Sequence, residues 1–212
     1  MISVLLSITG LLFLSVAVFN AIKNNNILSK LSTVIFTIAG STYLFMSCLN
    51  SLGDNTPIRL LRYIDWFLTV PIMIIQMSYF YSGKNNIKKT ITPILLTILM
   101  LGFGLLGEIG FKENWLFVNE GQLFDLRLNE FKIICGMIAT GFMSQLFIRL
   151  SGNLDQTKVK LFTRVLLLWC FYPIVYFMSE SLLTLVLFSV VDLMAKVGIG
   201  LTMHNEYEIK RT

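Results

Sequence analysis

The chain has 212 residues, of which 55% are hydrophobic and only 14% are charged. Together with a mean hydropathy of +0.74, these values exclude an ordinary soluble domain and indicate a polytopic membrane protein. The formal charge of +5 arises from lysine and arginine residues between apolar segments, so it reports membrane orientation, and no nucleic-acid partner is expected. The scattered cysteines Cys48, Cys135 and Cys170 predict neither a disulfide framework nor a metal site.

Seven apolar runs of roughly 20 residues, each bounded by polar clusters, predict seven transmembrane helices. The predicted spans are Ile2–Ile22, Leu28–Leu49, Ile58–Tyr81, Lys88–Gly107, Leu126–Leu150, Thr157–Ser179 and Leu182–His204, with a longer loop from Glu108 to Asp125. The expected fold class is an all-α, multi-pass membrane bundle that lies in a lipid bilayer. Because no polar block is large enough to fold separately, residues 1–212 should form a single domain.

Charges are distributed unevenly between the two ends of these spans. Lysine and arginine residues collect after the first, third and fifth spans and in the C-terminal tail, whereas the loop after the fourth span is acidic. The positive-inside rule therefore predicts an N-terminus outside and a C-terminus in the cytoplasm. No sorting signal is recognisable, so the identity of the membrane stays open.

The seventh span contains a charged dyad. Lys196 interrupts an apolar run from Leu185 to Leu201, where an ammonium is costly unless it is paired, neutralised or chemically used. Asp192 lies four residues earlier, on the same helical face and about 6 Å away along the axis. The dyad is either a structural ion pair or a desolvated lysine suited to forming a Schiff base, with the aspartate as counterion.

The third span carries a polar stripe. Arg62, Asp65 and Thr69 follow i, i+3, i+7 spacing and therefore share one helical face. With Asp192 and Lys196 they predict a buried set of two carboxylates and two cations, which a low-dielectric interior can hold. Thr69 is placed to donate its hydroxyl to the Asp65 carboxylate and so to set its proton affinity.

Aromatic residues on the sixth span suggest a pocket. Trp169, Tyr172 and Tyr176 share a face, and Pro173 is expected to kink the helix. Such a stripe is more often core than cofactor site. A second buried tryptophan, Trp66 on the third span, would allow the two indoles to enclose a flat polyene.

Three motifs in this order carry a family resemblance. They are Arg-Tyr-Ile-Asp-Trp-x-x-Thr-x-Pro from Arg62, Trp-x-x-Tyr-Pro-x-x-Tyr from Trp169, and Val-Asp-x-x-Ala-Lys-Val-Gly-x-Gly from Val191. The chain resembles the microbial (type 1) rhodopsins over all seven helices. Its short loops and its composition also resemble the compact rhodopsins of large algal viruses, which would place it in a host cell membrane.

The resemblance implies all-trans retinal bound to Lys196 as a protonated Schiff base, in a light-activated protein that is not an enzyme. Asp65 would be the primary counterion and proton acceptor, Asp192 the second counterion and Arg62 the gate toward the outside. The residues implied in the pocket are Trp66, Trp169, Tyr172, Pro173 and Tyr176, with Tyr43 near Asp192 and with Met100 and Gly104 on the fourth span. Homo-oligomers, either trimers or pentamers, are expected.

Departures from the family pattern concern proton movement. The three signature positions are Asp65, Thr69 and Gln76, and a glutamine at the third cannot return a proton in the ordinary way. His204 lies eight residues beyond Lys196, about 12 Å along the axis, and is either a substitute donor or part of a solvated helix end. On the other side Thr184 stands where a glutamate is usual, which leaves Glu180 as the nearest release group.

Three functions remain in view. An acidic first position argues against chloride transport and favours a slow, outward, light-driven proton pump. A light-gated cation channel is the alternative, suggested by the missing donor and by polar residues on the second span, although that span lacks buried carboxylates. The polar residues are Ser32, Thr33, Ser41, Thr42, Ser47 and Asn50. A photosensor that signals to a partner is the third possibility, and a structural membrane protein without cofactor is a distant fourth.

Overall fold

The computed structural model describes residues 1–23, 26–52, 58–82, 87–112, 123–152, 154, 156–178 and 182–209. Its helices are α1 (Ile2–Lys23), α2 (Ile27–Ser51), α3 (Ile58–Ser82), α4 (Ile87–Lys112), α5 (Leu123–Leu150), α6 (Gln156–Phe177), α7 (Leu182–Leu193) and α8 (Ile199–Ile209), with a π-helical turn (Met194–Gly198) between the last two. Seven stretches are long and apolar enough to cross a membrane, and the seventh, Leu182–His204, includes the π turn. The predicted seven-helix, all-α fold is confirmed.

The helices form a closed ring. Each packs against its neighbours in the chain, and α7 packs against α1. Helix α3 is the most deeply buried span, with 56% of its apolar window inside the bundle against 28% for α1. The polar stripe of α3 therefore faces the interior, because lipid offers charged side chains no partners.

Helices α1 and α2 approach each other closely at two glycines. A Cβ atom on Gly10 would lie 3.0 Å from the Gly40 carbonyl oxygen, and a Cβ atom on Gly40 would lie 3.0 Å from the Gly10 carbonyl oxygen. Small residues permit this backbone contact, which is a common basis of helix association in membranes. The α1–α2 interface is consequently tight at this level.

The predicted loop beginning at Glu108 is wrong at its start. Helix α4 continues to Lys112, and Glu108 is buried with 2% exposure. Its Oε1 atom lies 3.1 Å from Lys132 Nζ of α5, and that ammonium also lies 4.9 Å from the ring centre of Tyr176. Pairing with a neighbouring helix lets the acidic residue lie within α4, which hydropathy alone did not indicate.

Removing one member of this pair should destabilise the bundle. We expect Lys132→Met to lower the free energy of unfolding by about 3 kcal/mol, because it removes a cation that is paired with the buried Glu108 carboxylate. The double variant Glu108→Leu/Lys132→Met should recover most of the loss, and Lys160→Met, at an exposed lysine, should have little effect. Unfolding in detergent, followed by circular dichroism, measures these differences. A single variant as stable as the double one would contradict the expectation.

The seventh span is not the uninterrupted helix that was predicted. Residues Met194–Gly198 form a π-helical turn with Lys196 at its centre. Such turns are rare and occur frequently at functional sites, where the extra residue changes the direction of a side chain. Hydrophobic periodicity did not reveal it, since a single wide turn leaves the apolar pattern nearly intact.

Candidate functional site

Lys196 lies at the centre of the bundle with 2% exposure. Its Nζ atom forms an ion pair with Asp65 Oδ2 of α3 and lies 3.6 Å from Asp192 Oδ2. The ring centre of Phe13 on α1 lies 5.7 Å from the same nitrogen. The structure thus brings together the lysine and the two carboxylates that the sequence singled out. A buried cation is here balanced by anions from two different helices.

Asp192 is saturated with hydrogen bonds. Tyr43 OH donates to Oδ2 at 2.9 Å, Tyr172 OH donates to Oδ1 at 2.6 Å, and Trp66 Nε1 donates to Oδ1 at 3.2 Å. These donors come from α2, α6 and α3 respectively. Hydrogen bonds to the charged form of a carboxylate stabilise that form. Three side-chain donors from three helices therefore stabilise the charged form of Asp192, in addition to Lys196.

Asp65 has a different environment. Its Oδ1 atom has no hydrogen-bond partner among the described residues, and Lys196 is the ion-pair partner of Oδ2. The Thr69 hydroxyl donates to the backbone carbonyl of Asp65 at 2.8 Å, and its bond to the Asp65 carboxylate stays a prediction. Back-bonding within one helical turn is a common alternative for a threonine. The two carboxylates that flank Lys196 thus differ in how firmly their charge is held.

Arg62 is buried but stands apart from both carboxylates. Its Nη2 atom donates to the Leu185 carbonyl at 3.3 Å and to Ser189 Oγ at 3.4 Å. The guanidinium lies 4.8 Å from the ring centre of Phe188 and 5.7 Å from that of Tyr43. No ion pair within 4 Å joins it to another described residue, so the predicted four-charge cluster is looser than expected. Aromatic faces supply part of its stabilisation instead.

On the opposite side of Lys196 the buried polar residues carry amides, hydroxyls and an imidazole. Gln76 Nε2 donates to the Leu28 carbonyl at 3.2 Å and to Ser32 Oγ at 2.6 Å. His204 is 6% exposed and its Nδ1 atom lies 2.9 Å from Asn26 Nδ2, so it does not belong to a solvated helix end. Thr184 is buried at the other end of the seventh span, whereas Glu180 lies outside the described residues. Among the buried described residues, Arg62, Asp65 and Asp192 therefore lie at or on the Arg62 side of Lys196, and amides, hydroxyls and an imidazole lie on the other.

Lys196 lines a largely apolar cavity with a volume of about 100 Å³. The predicted pocket residues Trp66, Trp169, Tyr172, Pro173, Tyr176, Met100 and Gly104 all line it. Tyr43 is absent from the lining and acts on Asp192 instead. An amine in the lining of an aromatic-walled cavity matches the needs of a long apolar group that condenses with a primary amine.

Sequence reasoning missed one wall of this cavity. Residues of α5 form it, and further lining comes from α3, α4 and α7. The residues missed are Tyr63, Val70, Met73, Leu101, Gly136, Ala139, Thr140, Met143 and Phe188. The α5 members follow i, i+3, i+4, i+7 spacing, a helical face of small residues and methionine that was the available signal.

Known proteins resemble this chain along nearly its whole length. The family model for bacteriorhodopsin-like proteins matches residues 1–208. The chain belongs to this family, the type 1 microbial rhodopsins. Members of the family bind retinal, and the rhodopsin is an integral, multi-pass membrane protein.

Individual relatives are distant. Green-light absorbing proteorhodopsin of Gamma-proteobacterium EBAC31A08 is 25% identical over 172 residues, which cover 72% of this chain but only 62% of the relative. The crystal structure of the viral rhodopsin OLPVRII superposes with a TM-score of 0.75 at 21% identity and covers 99% of this chain and 97% of that one. The proton pumping rhodopsin AR2 of the marine alga Acetabularia acetabulum gives 0.77 at 19% identity, with coverages of 99% and 96%. At these identities the two structures indicate the shared fold.

Proposed function

We propose that this rhodopsin is a light-driven outward proton pump that carries all-trans retinal as a protonated Schiff base on Lys196. In this proposal the bound retinal supplies light absorption and a change of shape. Trp66, Trp169 and Tyr172 form the walls that would hold it, and Met100 and Gly104 lie farther along the cavity. The bundle is oriented with its N-terminus outside, as the distribution of basic residues favours.

The unequal environments of the two carboxylates carry the proposal. Asp192 receives three hydrogen bonds from tyrosine and tryptophan side chains, which stabilise its charged form. Asp65 faces Lys196 Nζ with one oxygen and leaves its other oxygen without a partner among the described residues. A proton leaving Nζ therefore gains most by moving to Asp65 Oδ2, while Asp192 continues to neutralise the site.

Arg62 gives the transfer a direction. It lies one helical turn from Asp65 toward the N-terminal end of α3, which is the outer end in the proposed orientation. Its guanidinium, held by Ser189, Phe188 and Tyr43, lies on the outer side of the Asp65 level, so in this proposal the proton of Asp65 leaves past Arg62 toward the outside. The guanidinium charge opposes the inward leak of other cations.

Packing of the second helix disfavours the channel alternative. Ser47 of α2 bonds to α1: its Oγ atom donates to the Ser3 carbonyl at 2.8 Å and lies 2.8 Å from Ser7 Oγ. Ser41 faces outward, and the Gly10–Gly40 contact closes the space between α1 and α2. A pore along α2 would require these contacts to break.

The test is photocurrent in cells that are supplied with all-trans retinal and held at stepped membrane voltages. We expect an outward current that never reverses, together with acidification of the medium that a protonophore abolishes. A current whose reversal potential follows the cation gradients would establish a channel. Light absorption without current would establish a sensor.

A further inference from the structure

Helix α2 fixes the orientation of the amide of Asn26. This residue caps the helix, and its Oδ1 atom accepts a hydrogen bond from the backbone N–H of Ser29 at 2.8 Å. The other end of the amide, Nδ2, therefore faces His204 Nδ1 at 2.9 Å. Because an amide nitrogen donates and does not accept, His204 Nδ1 must be unprotonated. His204 is then a neutral imidazole that carries its proton on Nε2.

Gln76 positions the Ser32 hydroxyl on the same side of the bundle. Both of its amide donor contacts go to α2, at the Leu28 carbonyl and at Ser32 Oγ. Since Ser32 Oγ accepts from Gln76, its own proton remains available to another group. Ser32 is 1% exposed and lies against the seventh span, where a Cβ atom on Gly200 would be 3.0 Å from Ser32 Oγ.

Gly200 is four residues from both Lys196 and His204, so the Ser32 hydroxyl lies about 6 Å along the axis from each level. A pump that sends the proton of Lys196 outward must replace it from the other side. Gln76 has no acidic proton with which to do so. Ser32 and His204 are buried described residues at these levels, and a hydroxyl and an imidazole can each both give and take a proton.

We propose that His204 and Ser32 form the proton-uptake relay of this protein, with Gln76 as the residue that positions Ser32. The inference rests on the pump function proposed above and adds the route by which Lys196 recovers its proton. His204 passes the Nε2 proton inward, Ser32 transmits it toward Lys196 Nζ, and Nδ1 binds a proton from the cytoplasmic solvent. One proton enters and one leaves, so the charge of the ring is unchanged, and exchange with water restores the starting tautomer.

Asn26 makes this relay conditional. Nδ1 can bind a proton only after the Asn26 amide has moved away, because a protonated Nδ1 would face another donor. The cap of α2 therefore acts as the gate, and reprotonation is slow because a helix cap must open. Charged residues on α8 and on the elements packed against it, among those described, are Lys30 of α2, Lys158, Lys160 and Arg164 of α6, Lys196 of the π turn, and Glu206 of α8 itself. None of these forms an ion pair with His204.

The first test uses the fact that the chain has a single histidine. Retinal-bound protein labelled with [15N]histidine is studied in the dark in lipid bilayers at neutral pH by solid-state NMR. We expect one protonated nitrogen, Nε2, and one unprotonated nitrogen, Nδ1. Asn26→Asp keeps the helix cap but offers His204 an acceptor, so both nitrogens should become protonated. An imidazolium in the unmodified protein, or no change in Asn26→Asp, would overturn the assigned geometry.

The second test follows reprotonation of the Lys196 nitrogen after a light flash, by transient absorption. His204→Gln retains an acceptor for Asn26 but loses the relay, and should slow this step about 100-fold. Added imidazole should restore the rate, which a merely structural defect would not allow. Ser32→Ala should be slowed in the same sense. Ser41→Ala, at an exposed position on the same helix, and Thr202→Val on α8 should match the unmodified protein.

Different outcomes would overturn the uptake relay and the proton pump. An unchanged rate in His204→Gln, in protein that still acidifies the medium, would overturn the relay and leave the pump. Absence of light-driven acidification by the unmodified protein would overturn the pump, whatever the NMR spectra show. A slow His204→Gln variant that imidazole does not rescue would assign His204 a structural role and would also overturn the relay.

Discussion

Asp65→Asn should abolish light-driven proton transport and shift the absorption of the retinal-bound protein to longer wavelength. An asparagine cannot take a proton from Lys196 Nζ, so proton transfer from this nitrogen should slow by at least about 100-fold. The red shift is expected because the negative charge beside Nζ stabilises a positive charge on that nitrogen, and this stabilisation is greater in the ground state than after excitation. Pump current and an absorption spectrum of the same preparation provide both measurements.

Asp192→Asn is the matched comparison, since it removes the other carboxylate next to Lys196. Three side-chain donors would lose their charged acceptor, so this variant should be less stable and should bind retinal poorly. Its Asp65 carboxylate would still be present to accept the proton. An Asp65→Asn protein that pumps at the normal rate would show that the acceptor has been misassigned, and so would an Asp192→Asn protein that folds, binds retinal and fails only in proton transfer.

Lys196→Ala should give a colourless protein. The described residues place this lysine alone among the lining of the cavity, and no other amine lies there for covalent attachment. Its loss also leaves Asp65 and Asp192 without a shared cation at the centre of the bundle, so one of the two carboxylates is expected to take up a proton. Visible absorption after addition of all-trans retinal to the purified protein measures the effect.

Lys30→Ala is the control for this experiment, because Lys30 is an exposed lysine on α2. It should retain full colour and full stability. A coloured Lys196→Ala protein with the unmodified spectrum would exclude covalent attachment at this position. Circular dichroism of both variants separates loss of colour from loss of fold.

Local patterns predicted the spans well where polar residues bounded them. The start of the third helix at Ile58 and the seven-helix count agree with the structure. The end of the fourth helix was misplaced, since Glu108 looks like a loop residue until Lys132 of α5 is seen beside it. A hydropathy window evaluates each charge alone and cannot anticipate a partner 24 residues farther along the chain.

The sequence identified which residues belong to the site better than it identified the contacts that these residues make. Lys196, Asp65 and Asp192 were recognised because a buried charge is unusual in an apolar helix. The bond of Thr69 to a backbone carbonyl and the aromatic contacts of Arg62 were not foreseen. Both sets of contacts depend on side-chain rotamers and on neighbouring helices, and neither can be predicted from residue spacing.

By itself, the sequence determined that the protein crosses a membrane seven times, that a lysine and two aspartates lie buried, and that the third signature position lacks an acid. The first two are consequences of composition and helical period, which act within one helix, and the third follows from the resemblance to the rhodopsin family. Only the tertiary structure decided that Asp192 is saturated by donors from α2, α3 and α6, that α5 supplies a wall of the cavity, and that the cap of α2 orients His204. Each of these contacts joins residues far apart in the chain, such as Tyr43 and Asp192, and exists only because the ring of helices closes.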